Sequence, residues 1–354
     1  MIAPEPTGLR DLFTLFLLYD QESGIEGLVK KIDLTGFDRR KVYHAVLGRR
    51  PETIAAYRTP ENYRAADHFM EALQSAEFQA SILKLLLRAF PDRKRIIFVH
   101  IPKCAGTDLI HKAVRKYPSA NNTLTSELWT VKPDLFKAIN RLVSEIQCSD
   151  ALFVYGHIKL TWLISQDLVR PFDDCFTIVR DPEEMVLSQV NYVLTRFFAR
   201  PQSVAAADVK HWLSKLGLDC VPEGASLSER MNLARAILRS KDLCPPNNMC
   251  RQLGFSPSGG EPDASSAASN IIMSNIEITD TTRYDTWCQR KFGHPQPTRM
   301  NKSENLFRTE DLSTDDREHI LAITTEDRKL HEAIVRSLNK SDSLSIRGDD
   351  LNKG

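Results

Sequence analysis

The stretch Arg95-Ile96-Ile97-Phe98-Val99-His100-Ile101-Pro102-Lys103-Cys104-Ala105-Gly106-Thr107 decides the fold. Its first part is a short apolar run that reads as a buried strand, and beyond Thr107 the residues Leu109, Ile110, Ala113, Val114 and Tyr117 recur at helical spacing. A strand that feeds a helix through a tight loop gathers free backbone N–H groups and the positive end of a helix dipole at one point. Such a point attracts phosphate. Gly106 lets the backbone approach closely, Thr107 adds a hydroxyl donor, and Lys103 supplies a mobile ammonium for a leaving oxygen.

A nucleoside-triphosphate loop reads GxxxxGK[ST], with the lysine after the glycine and a hydroxyl beside it for magnesium. Here the lysine comes first. That inversion argues against ATP or GTP hydrolysis and for a phosphate ligand that needs no bound metal.

A second strand-to-helix junction lies downstream in CFTIVRDPEEMVLSQVNYV, residues 175 to 193. Arg180 ends the strand, Asp181 is placed to cap, Pro182 suits the first helical position, and Glu183 and Glu184 favour the first turn. Ser188 follows about two turns along.

Composition sets the frame for these loops. The 354 residues carry a formal charge of +1 and are 42% hydrophobic, the balance of a globular protein without a nucleic-acid-scale basic surplus. The run LFTLFLLY, residues 12 to 19, is too short to span a bilayer and lacks a basic n-region, so no transmembrane segment is expected. Seven cysteines with no CxxC pair argue against a zinc site and a disulfide framework and point to the cytoplasm. Cys244 and Cys250 are spaced to close a small loop in an oxidising compartment, or are two unrelated thiols.

Along the chain, residues 1 to 90 read as helices separated by polar turns. From residue 91 to 338 strands alternate with helices: ALFVY ending in Gly156-His157 is a second strand and CFTIV a third, which implies a mostly parallel sheet covered on both faces. The stretch 254 to 270 is rich in Gly, Pro and Ser and reads as a mobile loop, and NIIMSNIEIT as a returning strand. Leu312 to Leu338 reads as one terminal helix capped by Ser313 or Thr314. Residues 339 to 354 read as a disordered polar tail whose RGD at Arg347 to Asp349 is coincidental.

The order PK-x-x-GT after a buried strand resembles the 5′-phosphosulfate loop of sulfotransferases that use 3′-phosphoadenosine 5′-phosphosulfate (PAPS). Arg180 and Ser188 match that family's second motif, which holds the 3′-phosphate. The branch it resembles most contains the heparan sulfate 2-O-sulfotransferases and bacterial carbohydrate sulfotransferases, on the strength of VHIPKCAGTD, YGHIKL, TIVRDPEEMVLSQVNYV, NNMCRQLG and RMNKSENL. The stretch VYHAVLGRRPETIAAY with SAEF resembles a helical module of bacterial surface-polysaccharide proteins.

The resemblance implies a P-loop-like three-layer α/β sulfotransferase fold with a central, mostly parallel sheet, preceded by the small helical module. It implies transfer of a sulfuryl group from PAPS to a carbohydrate or glycolipid hydroxyl in polysaccharide biosynthesis, with PAP as product and neither metal nor nucleic acid involved. His157 is then the general base and Lys103 neutralises the departing phosphate. Lys103, Cys104, Ala105, Gly106, Thr107 and Asp108 line the 5′ side, with Arg180 and Ser188 on the 3′-phosphate. Arg299, Asn301, Lys302 and Ser303 belong to a loop over the nucleotide, and Asn247 and Arg251 meet the acceptor. Cys104 and Asp108 depart from the family pattern, and a carboxylate at 108 is unfavourable beside a phosphate unless it turns away. The alternatives are a metal-dependent nucleotide kinase or hydrolase, and an inactive PAP-binding scaffold.

Overall fold

The computed structural model describes residues 94–116, 151–156, 159–165, 169–170, 172–199, 209–210, 213–215, 217, 225–254, 263–293, 306–341 and 343–351. The helical reading of residues 1 to 90 therefore lies outside the described residues, as do His157, Arg299, Asn301, Lys302 and Ser303. The chain divides into two units, one of Met1–Ile96 and Tyr117–Val154, the other of Ile97–Lys116 and Tyr155–Gly354. Of the first, residues 94–96 and 151–154 are described, all of them in strands. The side-chain geometry below belongs to the second.

The strands are β1 (Lys94–Val99), β2 (Ala151–Gly156), β3 (Asp174–Val179) and β4 (Glu277–Asp280), in the order β2-β1-β3-β4. They form a small parallel sheet in an α/β architecture. Near-continuous burial of Ile97 to Val99 and Cys175 to Val179 is what a strand covered on both faces requires. β3 pairs with β4 in the register Phe176 to Glu277 through Val179 to Asp280. Thr177 has no water to bond, and its hydroxyl donates to the Val99 carbonyl at 2.8 Å.

β1 leads into helix α1 (Gly106–Lys116), and β2 is followed by α2 (Leu160–Ser165). β3 leads into α3 (Pro182–Leu194), which continues as a π-helical turn over Thr195–Ala199. The expected cap is present: Asp181 Oδ1 accepts from the N–H groups of Glu183 at 3.0 Å and Glu184 at 3.1 Å. Then come α4 (Leu227–Arg239), α5 (Asn248–Leu253), α6 (Ala264–Met273), α7 (Tyr284–Phe292), α8 (Thr314–Ile323) and α9 (Thr325–Lys340). A core of Val190, Val193, Leu194, Phe197, Leu233, Ile237, Phe307 and Ile320 packs α3 against α4 and α8.

Four expectations need correction. The stretch expected to be a loop to residue 270 and then strand carries α6, because Asp263 caps it by accepting from Ser266 N–H at 2.7 Å and Asn270 donates to the Leu253 carbonyl. The strand begins only at Glu277. The single terminal helix is two, broken at Thr324, whose hydroxyl bonds back to the Ile320 carbonyl at 2.7 Å. The tail read as disordered is ordered over 343–351: buried Ile346 exchanges both backbone hydrogen bonds with Ile278 of β4, and a short α10 (Gly348–Leu351) follows. Arg347, in the RGD triplet, reaches Glu277 at 3.5 Å.

Among the described residues no helix is long and apolar enough to cross a membrane.

Candidate functional site

In the order β2-β1-β3-β4 the chain leaves β1 in one direction, toward β2, and leaves β3 in the opposite direction, toward β4. Beyond the carboxyl ends of β1 and β3 such a reversal opens a crevice that open α/β sheets use for ligands. The loop with Lys103 follows β1, and Arg180 follows β3.

The first loop is tightly wound. Lys103 and Ala105 both adopt positive φ, 68° and 56°, a conformation costing a side-chain-bearing residue on the order of 1 kcal/mol. Between them Cys104 is wholly buried, its N–H donating to Ile101 and its sulfur 3.9 Å from Met185. Burial pushes the thiol far above its ordinary range, so Cys104 is a packing residue and not a nucleophile. Thr107, in the first turn of α1, is exposed.

Arg180 joins the two junctions. Its Nη1 donates to the Lys103 carbonyl at 3.3 Å, while its Nε pairs with Glu184 at 3.1 Å on the outer side. Ser188 is half-buried one turn beyond Glu184, and Tyr192 one turn beyond that.

Lys103 Nζ stands 4.0 Å from the centroid of the Tyr192 ring, and the Arg196 guanidinium 5.4 Å from it. Burial, together with Arg180 and Arg196, lowers the Lys103 pKa to about 8. Among the described residues neither Lys103 nor Arg196 has a carboxylate partner. Like charges held together without a counter-charge are unfavourable alone and favourable around an anion. The electron-rich face of Tyr192 offsets part of that repulsion.

Tyr192 and Arg196 were not singled out from sequence. Their signal is present as the i, i+4 continuation of Arg180, Glu184 and Ser188, but the partner that gives it meaning arrives from another element.

Asp108 turns away from the loop. Its carboxylate pairs with Lys112 at 2.7 Å and accepts from the Tyr284 hydroxyl at 2.7 Å, both within a buried cluster against α7. The residue stays in the loop-to-helix junction while its charge is neutralised elsewhere.

Asn247 ties the start of α5 to the start of α9. It adopts φ 49° at the start of α5, and its side-chain oxygen accepts from the N–H of Glu326 at 3.0 Å. Reciprocally, buried Asp327 accepts from the N–H groups of Met249 at 3.1 Å and Cys250 at 2.8 Å. Each helix start is thus capped by the other. Arg251 is half-buried on α5. Cys244 and Cys250 are both buried free thiols.

Two anchors border the segments outside the described residues. Phe307 is pinned to α3 by Asn191, which donates to its carbonyl at 2.7 Å and accepts from its N–H at 2.8 Å, next to Tyr192. Gly156, which precedes His157, accepts from His100 N–H at 3.1 Å. One strand beyond β3, His331 bonds Asp280 at 2.9 Å. Burial opposes ionisation of Asp280, but the bonds from His331 and Thr282 outweigh it and lower its pKa.

Among the described residues no group of three or more His, Cys, Asp or Glu is arranged to hold a metal ion. Comparison with protein-family models, with curated proteins and with solved structures finds no match to this chain.

Proposed function

We propose that this protein is a PAPS-dependent sulfotransferase acting on a carbohydrate hydroxyl. The observation that carries the reading is the joining of the two motif loops at the reversal point of the sheet. Arg180 is hydrogen-bonded to Lys103, and Lys103 and Arg196 flank Tyr192 without a carboxylate between them. A ligand with anionic groups at both ends, such as a nucleoside 3′,5′-bisphosphate, matches that charge. The departure at Asp108 does not oppose it, since the carboxylate bonds Lys112 and Tyr284.

In this reading Lys103 neutralises the phosphate oxygen as the S–O bond to it breaks. The N–H groups at the start of α1 and the Thr107 hydroxyl hold the equatorial oxygens. His157 takes the proton of the acceptor hydroxyl as its oxygen bonds to sulfur, a role suited to an imidazole near its ordinary pKa and worth roughly 10²–10⁴ in rate. Ser188 is assigned to the 3′-phosphate beside Arg180, Arg299, Asn301, Lys302 and Ser303 to the nucleotide, and Asn247 and Arg251 to the acceptor.

The test is a calorimetric titration with PAP and, separately, with magnesium and ATP. Binding of PAP that Arg180→Ala abolishes supports the reading, and a screen of glycans with PAPS follows. Binding of magnesium-ATP alone overturns it in favour of a kinase or hydrolase. PAP binding with no transfer to any glycan indicates a scaffold.

A further inference from the structure

The sequence reading gave Gly106 the task of letting backbone approach a phosphate. The structure contains a different reason for a glycine there. A Cβ built on Gly106 would lie 1.8 Å from His100 Nε2, 2.2 Å from Cδ2 and 2.4 Å from Cε1, well inside the 3.0 Å that real Cβ atoms respect. The obstacle is the distal edge of the His100 ring, and that ring is held by stacking. The His100 ring stacks on Phe98 at 5.3 Å and Phe98 on Phe176 at 5.3 Å, so the imidazole tops a column of three rings running across β1 and β3. Its own backbone is tied to β2 through Gly156.

In a helix the Cα–Cβ bond tilts toward the N-terminus. The volume taken by the imidazole is therefore beside the mouth where α1 presents its free N–H groups, with the Nε2 edge against Gly106. We infer that His100 forms a wall of the phosphate site, and that Gly106 is glycine to admit its imidazole. This rests on the phosphate-loop part of the reading above and makes His100 a positioning residue for the bound phosphate.

Four proteins test it: the wild type, Gly106→Ala, His100→Ala and the double variant, each titrated with PAP and with pyrophosphate and followed in thermal unfolding. Gly106→Ala is expected to weaken binding by about 10²-fold, the cost of misplacing a site by about 1 Å, and to lower Tm. His100→Ala is expected to cost about tenfold, recovered by His100→Gln, whose amide reaches the place of Nε2. The double variant should match His100→Ala in both measurements. If it is as impaired as Gly106→Ala, the glycine serves the ligand directly and the inference falls. Should Gly106→Ala not fold, a folded double variant supports the interlock, and a misfolded one beside a folded His100→Ala overturns it. A wild type that binds pyrophosphate but not PAP removes the sulfotransferase reading and leaves the inference standing. Binding of neither removes both.

Discussion

At the amino ends of β3 and β4, Lys291 lies 2.8 Å from Asp174 and 2.7 Å from Glu277, with Arg347 3.5 Å from Glu277. At the carboxyl ends of β1 and β3, Lys103 and Arg196 share the ring of Tyr192, and among the described residues neither has a carboxylate partner, while Arg180 beside them pairs with Glu184. The first group is balanced, two cations against two carboxylates, and its charges hold the tail and α7 to the sheet. The second is in surplus. Balanced charges need nothing further, whereas a buried lysine beside two arginines is placed where an anion would be favoured.

That contrast predicts opposite outcomes for two similar substitutions. Lys291→Met leaves two carboxylates without their main cation, and should lower unfolding free energy by about 3 kcal/mol in urea titration while PAP affinity stays unchanged. Equal loss of affinity would erase the distinction between the edges. Lys103→Met removes a cation that its neighbours repel, so Tm should hold or rise while PAP affinity falls about 10- to 100-fold by calorimetry.

Proton linkage sharpens the same point. In the free protein Lys103 titrates at about 8, and an anion beside it favours the charged form. PAP affinity should then be flat from pH 7 to 8 and fall above that, by at most about tenfold per unit, until the lysine of the complex itself titrates. Lys103→Met should flatten the curve. The smallest effect is expected at Tyr284→Phe: with Lys112 still on Asp108, loss of one hydrogen bond should cost about 1 kcal/mol of stability and leave PAP binding intact. A change in PAP affinity would mean that the Asp108 carboxylate reaches the ligand after all.

The junctions were legible in the sequence because local rules write them. The buried run of β1, the capping Asp181 with Pro182 behind it, and the glycine after the loop are all signals within a few residues of one another. What escaped depends on partners far along the chain. Residues 264–270 look like loop by composition and 271–273 like the start of a strand, yet a run with an Asp cap and small residues needs only a surface to pack on, and Asn270 finds the Leu253 carbonyl. The polar tail is drawn to β4 by one buried isoleucine, Ile346. The cap that Asn247 gives to α9 exists only once the fold brings the two together. Arg196 acquires its meaning only when Lys103 meets the same ring.

The exchange of caps between α5 and α9 bears on how the protein breathes. Asn247 closes the first turn of α9, and Asp327, in that turn, closes the first turn of α5. Neither start can fray without stripping the other of its partner, so the amides of Met249, Cys250 and Glu326 form one opening unit. In deuterium exchange they should share a single protection factor, although 76 positions separate the last two of them in the sequence.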